Sequence, residues 1–459
     1  MGKQRVLDTR GNQTYIDRSN LKFQAENQQG TKFLVQASDM PYPPLLKQKL
    51  SLANIKNVYT RHIKGGVTTN GNLFTSTYAA LSTAPCSDFT HVRVILKNKE
   101  ASPPNVSGLI IAVTNTATTF AEKVTPSTGN TITNDGSTGW VQVTFNGATT
   151  WALPAAASST TGDAGILLTD WMPINSLTPV DGCPWPYIMA RIKLDANFSY
   201  SGGLGQFSTD NTKQNYFESF RAVGTDAVTT PSNFGTPSAN DANNIIFGFE
   251  FIGPGPTIPV IAIGDSITQG LHSSAGSDSV DPATLSWVPL AYSHLISDGL
   301  PFNLYNYGFS GANTTTTCAI GKTAVTTHKP AIALYSVYSP NDGSSTLTQA
   351  AADSMYARAL DFGRHALINN CLPIFMFLAP NANYSSTYDP IRKSLIAKIK
   401  SKGFQVRDLT TLIGDGANPE RFLSGQNFDT LHPSLTGYTN LSYGLIQELT
   451  DIYYQNFGG

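Results

Sequence analysis

Four short blocks in the second half of the chain carry side chains that can do chemistry together. The first, Gly264-Asp265-Ser266-Ile267-Thr268-Gln269-Gly270, directly follows the apolar run Val260-Ile261-Ala262-Ile263. A serine at a strand-to-helix turn is a candidate nucleophile, and its own N–H is an orphan donor of that helix, free to face a developing oxyanion. The same block is also a plain N-cap serine. The second block, Asn306-Tyr307-Gly308-Phe309-Ser310-Gly311-Ala312-Asn313, offers the Gly311 N–H as a second donor, because glycine lets backbone approach a ligand closely. Its plainer reading is an ordinary glycine turn. The third, Ser339-Pro340-Asn341-Asp342-Gly343, offers the Asn341 side-chain amide as a third donor, and Asn-Asp-Gly is equally turn chemistry. The fourth is Asp429-Thr430-Leu431-His432-Pro433. A carboxylate three residues ahead of a histidine can fold back onto its Nδ1–H, orient Nε2 toward a serine and stabilise the imidazolium. Pro433 restrains His432 to an extended backbone and can open a following helix. A nucleophile, a base, an orienting acid and three donors are the parts of an acyl-transfer site.

The elements that must position these blocks follow from pattern. Val260 to Ile263, Leu304-Tyr305, Ala331 to Tyr335, Pro373 to Leu378 and Phe404 to Val406 are short apolar runs, as for strands buried on both faces. Helix-like segments alternate with them around Trp287 to Ile296, Leu347 to Ile368, Pro390 to Lys400 and Tyr438 to Tyr453. This alternation predicts a parallel sheet covered on both faces, with its site at the carboxyl ends of the strands. Earlier, runs such as His91 to Leu96, Trp140 to Phe145, Tyr187 to Leu194 and Asn244 to Phe251 alternate and are rich in β-branched and aromatic residues. They predict an all-β sandwich or jelly roll. The expected organisation is an extended segment over 1–40, a β-sandwich over 41–252, a Gly/Pro linker over 253–258 that resists both helix and sheet, and an α/β domain over 259–459.

The order of the four blocks, each after a successive strand, is more specific than any block alone. On it, residues 259–459 resemble the SGNH hydrolases, or GDSL-type esterases and lipases. The resemblance implies a three-layer, flavodoxin-like α/β domain that needs no metal or organic cofactor. It implies Ser266, Asp429 and His432 as the catalytic triad and the Ser266 N–H, the Gly311 N–H and the Asn341 amide as the oxyanion hole. In that family the serine attacks an ester carbonyl, and the histidine takes its proton and later gives it to the leaving alcohol. One departure stands out. The family's third block reads Gly-x-Asn-Asp, and Ser339 occupies the glycine position, which is strained if that position requires positive φ. Tyr335, Val337 and Tyr338, just ahead of the block, are candidates for shaping a small acyl pocket.

Composition narrows the partners. Only 13% of the 459 residues are charged, with 30 basic against 31 acidic and a net charge of −1. That argues against nucleic acid, whose phosphates need a basic surplus. Residues 1–64 hold 11 basic and 4 acidic side chains, as an attachment arm or a solvated extended segment does. No apolar run reaches the length of a membrane span, and Lys3, Arg5 and Arg10 are not followed by the apolar core of a signal peptide. An extracellular or virion-associated setting and a cytoplasmic one both stay open. The four cysteines are too far apart for a zinc site. There is no Gly-x-Ser-x-Gly elbow and no His-Glu-x-x-His, and no metal is expected.

The leading expectation is a carbohydrate O-acetylesterase acting on an acylated carbohydrate or other small ester. Fusion to a β-sandwich and the tryptophans Trp140, Trp151, Trp171 and Trp185 of the first half point that way, although tryptophans in a core explain the latter equally. The alternatives are a lipase, arylesterase or thioesterase on apolar acyl esters, and a non-catalytic glycan-binding or virion-attachment protein.

Overall fold

The computed structural model of the chain describes residues 4–7, 13–16, 22–26, 32–36, 50, 52–62, 72–73, 76–84, 88–98, 101–114, 125–126, 129–133, 135–136, 138–155, 165–174, 186–195, 198–199, 217–223, 226–234, 245–271, 286–343, 347–381 and 388–457. Trp185, His272, Cys86 and Cys183 lie outside them. The described part of the first 40 residues is two antiparallel pairs, Gln4–Leu7 with Gln13–Ile16 and Lys22–Glu26 with Lys32–Gln36.

The strands that matter for the site are β1 (Lys56–His62), β2 (Ser76–Thr83), β3 (His91–Asn98), β4 (Asn105–Thr114), β5 (Trp140–Gln142), β6 (Gly165–Leu168), β7 (Tyr187–Leu194), β8 (Phe217–Val223) and β9 (Ile246–Gly264). One sheet runs β5-β4-β7-β2-β8, all antiparallel. A second places β3 between β6 and β9, with β1 on the other side of β9. Strand alternation sends every second side chain to one face. Val92, Val94 and Leu96 of β3 and Phe249 and Phe251 of β9 therefore share one buried cluster with Leu109 and Ile111 of β4 and Ile188 and Ile192 of β7.

Strand β9 does not end with that sheet. It is 19 residues long, and its second half, from Ile258 to Gly264, pairs in parallel with β10 (Phe302–Gly308) and, from Val260 to Ile263, with β11 (Ile332–Ser336). The segment 253–258, expected to resist sheet, lies inside the strand. Its prolines leave their mark on the ladder: pairing with β1 stops at Ile252 and resumes only at Thr257. Pro254 and Pro256 have no N–H to give, so the register breaks while the chain stays extended.

Beyond β11 the sheet continues through β12 (Leu372–Phe377) and β13 (Gln405–Asp408), all parallel. After β9 come α1 (Ser266–Gln269) and α2 (Trp287–Ser297); the later helices are α3 (Thr314–His328), α4 (Gln349–Ile368), α5 (Tyr388–Ser401) and α6 (Leu435–Phe457). Val260 and Ala262 pack with Leu295 of α2 and Leu441 and Leu445 of α6. Ile261 and Ile263, facing the other way, pack with Ala324, Phe362 and Ile399 of α3, α4 and α5. This is an α/β domain of three layers. Helix α3 was not foreseen, because its first turn, Thr314 to Thr317, is β-branched and reads as polar surface. Thr314, Thr316 and Thr317 are buried, and the Asn313 side chain caps the turn by accepting from Thr316 N at 3.0 Å. Packing and the cap override the weak propensity.

Where the two sheets share β9, buried charge joins them. Glu250 is 1% exposed and alternates with Phe249 and Phe251. Its carboxylate accepts from Arg93 of β3, from Tyr305 Oη of β10 at 3.0 Å and from His328 Nδ1 of α3 at 3.1 Å, while His328 Nε2 meets Tyr307 Oη at 2.6 Å. Burial opposes the charge, but His328 and Arg93 outweigh it and hold the carboxyl at about 2. The group is thus depressed below its ordinary 4.5, so its stabilisation is complete above that value and is lost as pH falls from there toward 2. Glu250→Gln is expected to cost about 3–5 kcal/mol at pH 7, the usual cost of breaking a buried pair. In urea unfolding, the gap between variant and wild type should narrow as pH drops from 4.5 toward 2; a gap independent of pH refutes the assignment.

Candidate active site

Strand β9 has β10 on one side and β11 on the other, so the chain turns in opposite directions from it. The carboxyl end of such a strand opens a crevice between its two departing connections. Ser266 stands there, two residues past β9, and is 4% exposed. Asp265 caps α1, its side chain accepting from Ile267 N at 3.0 Å, and Gly270 ends the helix with φ +94°. A four-residue helix cannot hold itself in water. Close contact with the end of β10 holds this one: a Cβ on Gly308 would lie 2.1 Å from Gln269 N, and Asn306 Nδ2 donates to Thr268 O at 3.1 Å.

The structure brings Ser266, His432 and Asp429 together. Ser266 Oγ lies 3.0 Å from His432 Nε2, and His432 Nδ1 lies 2.8 Å from Asp429 Oδ2. The other carboxylate oxygen of Asp429 accepts from Leu431 N at 2.6 Å and His432 N at 2.7 Å. One carboxylate thereby fixes the loop backbone and the imidazole at once. Partial burial raises its pKa, but the bonds from the His432 ring and the two backbone N–H groups outweigh that and hold it below the usual carboxylate range. It stays charged where an imidazolium forms. Nδ1 donating to this carboxylate leaves Nε2 to accept the serine proton.

The oxyanion candidates sit on the neighbouring connections. Gly311 follows β10 with φ +75° and is exposed; nothing lies within 4 Å of where a Cβ would stand, so the left-handed backbone, not space, calls for glycine. Asn341 follows β11, its Nδ2 donating to Ala312 O at 3.0 Å and to Ser339 Oγ at 3.2 Å. The connections are tied to one another and to α1: Ser310 N donates to Gln269 Oε1 at 2.8 Å, and Ser339 Oγ donates to Ala312 O at 2.9 Å. Asp342, read from sequence as a turn residue, accepts from Thr314 N and Oγ1 and so fastens the Asn341 turn to α3.

Two expectations change. Ser339 has φ −133° and ψ 137°, ordinary extended backbone, so serine at this position carries no strain. Tyr335, Val337 and Tyr338 are not pocket walls. They are at most 4% exposed and belong to the core, Tyr335 stacked on Phe362 at 4.4 Å and Tyr338 bonded to Asn381 and edge-on to Tyr388. Ser336 between them is buried as well, its Oγ donating to Tyr338 O at 2.9 Å, and burial on both faces of the sheet consumes the three apolar side chains. Sequence reasoning gave Asp265 no role of its own; its signal was its place before a short helix.

Among the described residues no group of His, Cys, Asp and Glu could hold a metal ion, and no helix is long and apolar enough to cross a membrane. No family sequence model and no curated protein sequence matches the chain. Solved structures do. In structure the chain resembles a member of the lipolytic G-D-S-L family from Veillonella parvula at 17% identity and TM-score 0.33, over 42% of this chain and 98% of that one. It also resembles a psychrotrophic esterase from Pseudoalteromonas at 15% identity and TM-score 0.33, over 44% and 100%. A third is an acetyl-xylooligosaccharide esterase from Geobacillus at 16% identity and TM-score 0.33, over 42% and 93%.

A serine paired with an oriented imidazole should phosphonylate readily. A fluorophosphonate probe is expected to add once to the wild type, at Ser266, by intact mass and peptide mapping. His432→Ala should slow labelling by about 10²–10⁴-fold, the usual weight of a general base. Labelling at another residue, or an unchanged rate in the histidine variant, contradicts the geometry.

Proposed function

We propose that this protein is a serine carboxylic ester hydrolase. The observation that carries the reading is the unbroken relay from Ser266 Oγ through His432 to Asp429, at 3.0 and 2.8 Å. As Ser266 attacks the ester carbonyl, its proton passes to His432 Nε2, and Asp429 balances the imidazolium. The Ser266 and Gly311 N–H groups and the Asn341 amide stabilise the oxyanion. His432 then gives its proton to the leaving alcohol, and water, deprotonated by the same nitrogen, releases the acid and regenerates Ser266.

For the substrate we favour a small acyl group, acetyl, on a carbohydrate. The support is the neutral, hydroxyl- and amide-rich composition around the relay and the absence of charge surplus. The β-rich half, read as a β-sandwich that holds the glycan, contributes less than its tryptophans suggested: Trp140 and Trp151 are buried at 0% and 7%, and Trp171 is partly exposed with the Arg93 guanidinium 4.4 Å from its ring. Buried rings have no face to offer a sugar. A second reading, apolar acyl esters, has its own observation. Leu423, Phe428 and Leu435, which flank the Asp429–His432 loop in sequence, are exposed at 49%, 40% and 39%. The intact relay weighs against a purely glycan-binding role.

Wild type is expected to hydrolyse a short-chain aryl acetate. Ser266→Ala should retain less than about 10⁻³ of kcat, and Asp429→Asn should lose about 10⁴-fold by misorienting the imidazole tautomer. Acetate released from acetylated glycans, compared with hydrolysis of aryl octanoate, separates the two substrate readings: faster octanoate turnover refutes the acetylesterase reading. No turnover of any short-chain ester refutes the enzyme.

A further inference from the structure

Asp265 is buried beside Ser266, and the acyl-transfer scheme gives its carboxyl no task. It is 1% exposed. Oδ1 accepts from Ile267 N at 3.0 Å, whereas Oδ2 is shut off from solvent with no hydrogen-bond partner. A buried carboxyl oxygen without a donor is costly unless the carboxyl keeps its own proton or a donor turns toward it. The donor at hand is the Ser339 hydroxyl, which lies against the Asp265 carboxyl and is itself 2% exposed.

Ser339 is already occupied. Its Oγ donates to Ala312 O at 2.9 Å and accepts from Asn341 N and Nδ2, both at 3.2 Å. Asn341 Nδ2 donates to the same Ala312 O at 3.0 Å. A serine hydroxyl has one proton, so it can go to Ala312 O or to Asp265 Oδ2, not to both. Ala312 O is correspondingly shared between Ser339 and Asn341, or left to Asn341 alone.

Resting on the ester-hydrolase reading, we propose that the Ser339 hydroxyl relays the protonation state of Asp265 to the Asn341 amide, which makes Asp265 and Ser339 positioning residues for an oxyanion donor. With Asp265 neutral, the hydroxyl stays on Ala312 O and competes with Asn341 for it. With Asp265 ionised, the hydroxyl turns to Oδ2, Ala312 O takes one Asn341 Nδ2–H alone and anchors the amide, and the other N–H, on Ser339 Oγ at 3.2 Å, is the one an oxyanion takes over. A glycine at position 339 cannot do this, so the relay is peculiar to a serine there.

The charges facing Asp265 come from three elements. His432, on the loop ahead of α6, favours its ionised form; Asp342, on the turn after β11, opposes it; and Tyr438 of α6, neutral, lies close enough to feel it. Burial is the largest influence and lifts the carboxyl to about 6. The productive arrangement is therefore lost as pH falls through that region.

The test is log(kcat/KM) for a short-chain aryl acetate between pH 4.5 and 8. For wild type the acid limb is expected to be steeper than that of a variant without the relay, since the Asp265 proton must leave as well. Ser339→Ala should give a shallower limb than wild type and a kcat at pH 7.5 lower by about tenfold, a fraction of the loss from deleting an oxyanion donor, with KM within about twofold. Asp265→Asn, whose Oδ1 still caps Ile267 N, should do the same, and the double variant should be no worse than either single one. Circular dichroism and Tm establish that each variant is folded. A Ser339→Ala enzyme with the wild-type limb and kcat, or additive losses in the double variant, overturns the relay. Absence of turnover in wild type, or full turnover in Ser266→Ala, overturns the ester-hydrolase reading instead, and the relay falls with it.

Discussion

Everything at the site depends on one strand belonging to two sheets. The first half of β9 is locked antiparallel between β1 and β3, and its second half is the central parallel strand of the α/β domain. Because side-chain direction alternates along a strand, the register on one side constrains the other. Phe249 and Phe251 must face the core between the β-sheets, which turns Glu250 toward Arg93, Tyr305 and His328. A buried ion cluster is directional where an apolar contact is not. It ties β3, β9, β10 and α3 to one rotational setting, and Ser266 is delivered at the end of that strand.

Ser266 and His432 are thus held by different means. Ser266 sits in a helix of four residues whose position is borrowed from β9, Gly308 and Asn306. Nothing local would keep it there. His432 is the opposite case: Asp429 binds its ring and its N–H and the N–H of Leu431 within a span of four residues. The loop is then anchored by α6, whose Leu441, Leu445 and Leu449 are fully buried against the sheet. A locally assembled imidazole meets a serine placed by long-range packing, and a 3.0 Å contact results only if both are correct. In a catalytic pair, misplacement of about an ångström costs roughly 10²-fold in rate, so under the proposed ester hydrolysis the distant Glu250 cluster and the Asp429 loop bear on the same reaction.

What the sequence disclosed follows this division. The Asp-x-x-His spacing is a local geometry, complete within one turn of chain, and the strands of the α/β domain announce themselves as apolar runs because both their faces are covered. Pairing and burial are not local. Gly253 to Ile258 has the composition of a linker, yet two flanking sheets demand that it stay extended. The Thr-rich start of α3 has poor helix propensity and becomes helical through a cap and burial that no window of sequence contains. Tyr335, Val337 and Tyr338 differ from pocket residues only in which way the strand end turns, and Trp140 differs from a sugar-stacking ring only in the Arg191 guanidinium, 4.4 Å from its ring, and the sheet that covers it.

The low charge of the chain acquires a structural meaning here. With 13% charged residues, solubility rests on hydroxyl and amide groups. Yet Lys97, Arg191, Glu250, Asp265, Arg392 and Glu448 are all at most 4% exposed. Buried charges are seldom the best source of stability, because desolvation offsets most of their attraction. Their value lies in excluding alternatives: an Arg191 flanked by Trp140 and Phe234 and donating to Ala227 O and Pro231 O fits one arrangement of those segments. Where a chain has many glycines and hydroxyls and correspondingly weak register signals, a few interior charges specify which strands pair and how. The same logic reaches the crevice at Ser266. Asp265, interior and adjacent to Ser266, has the Ser339 hydroxyl beside its carboxyl, and Ser339 in turn touches the Asn341 amide. Interior charge that elsewhere fixes the fold is, at this one position, in contact with the chemistry.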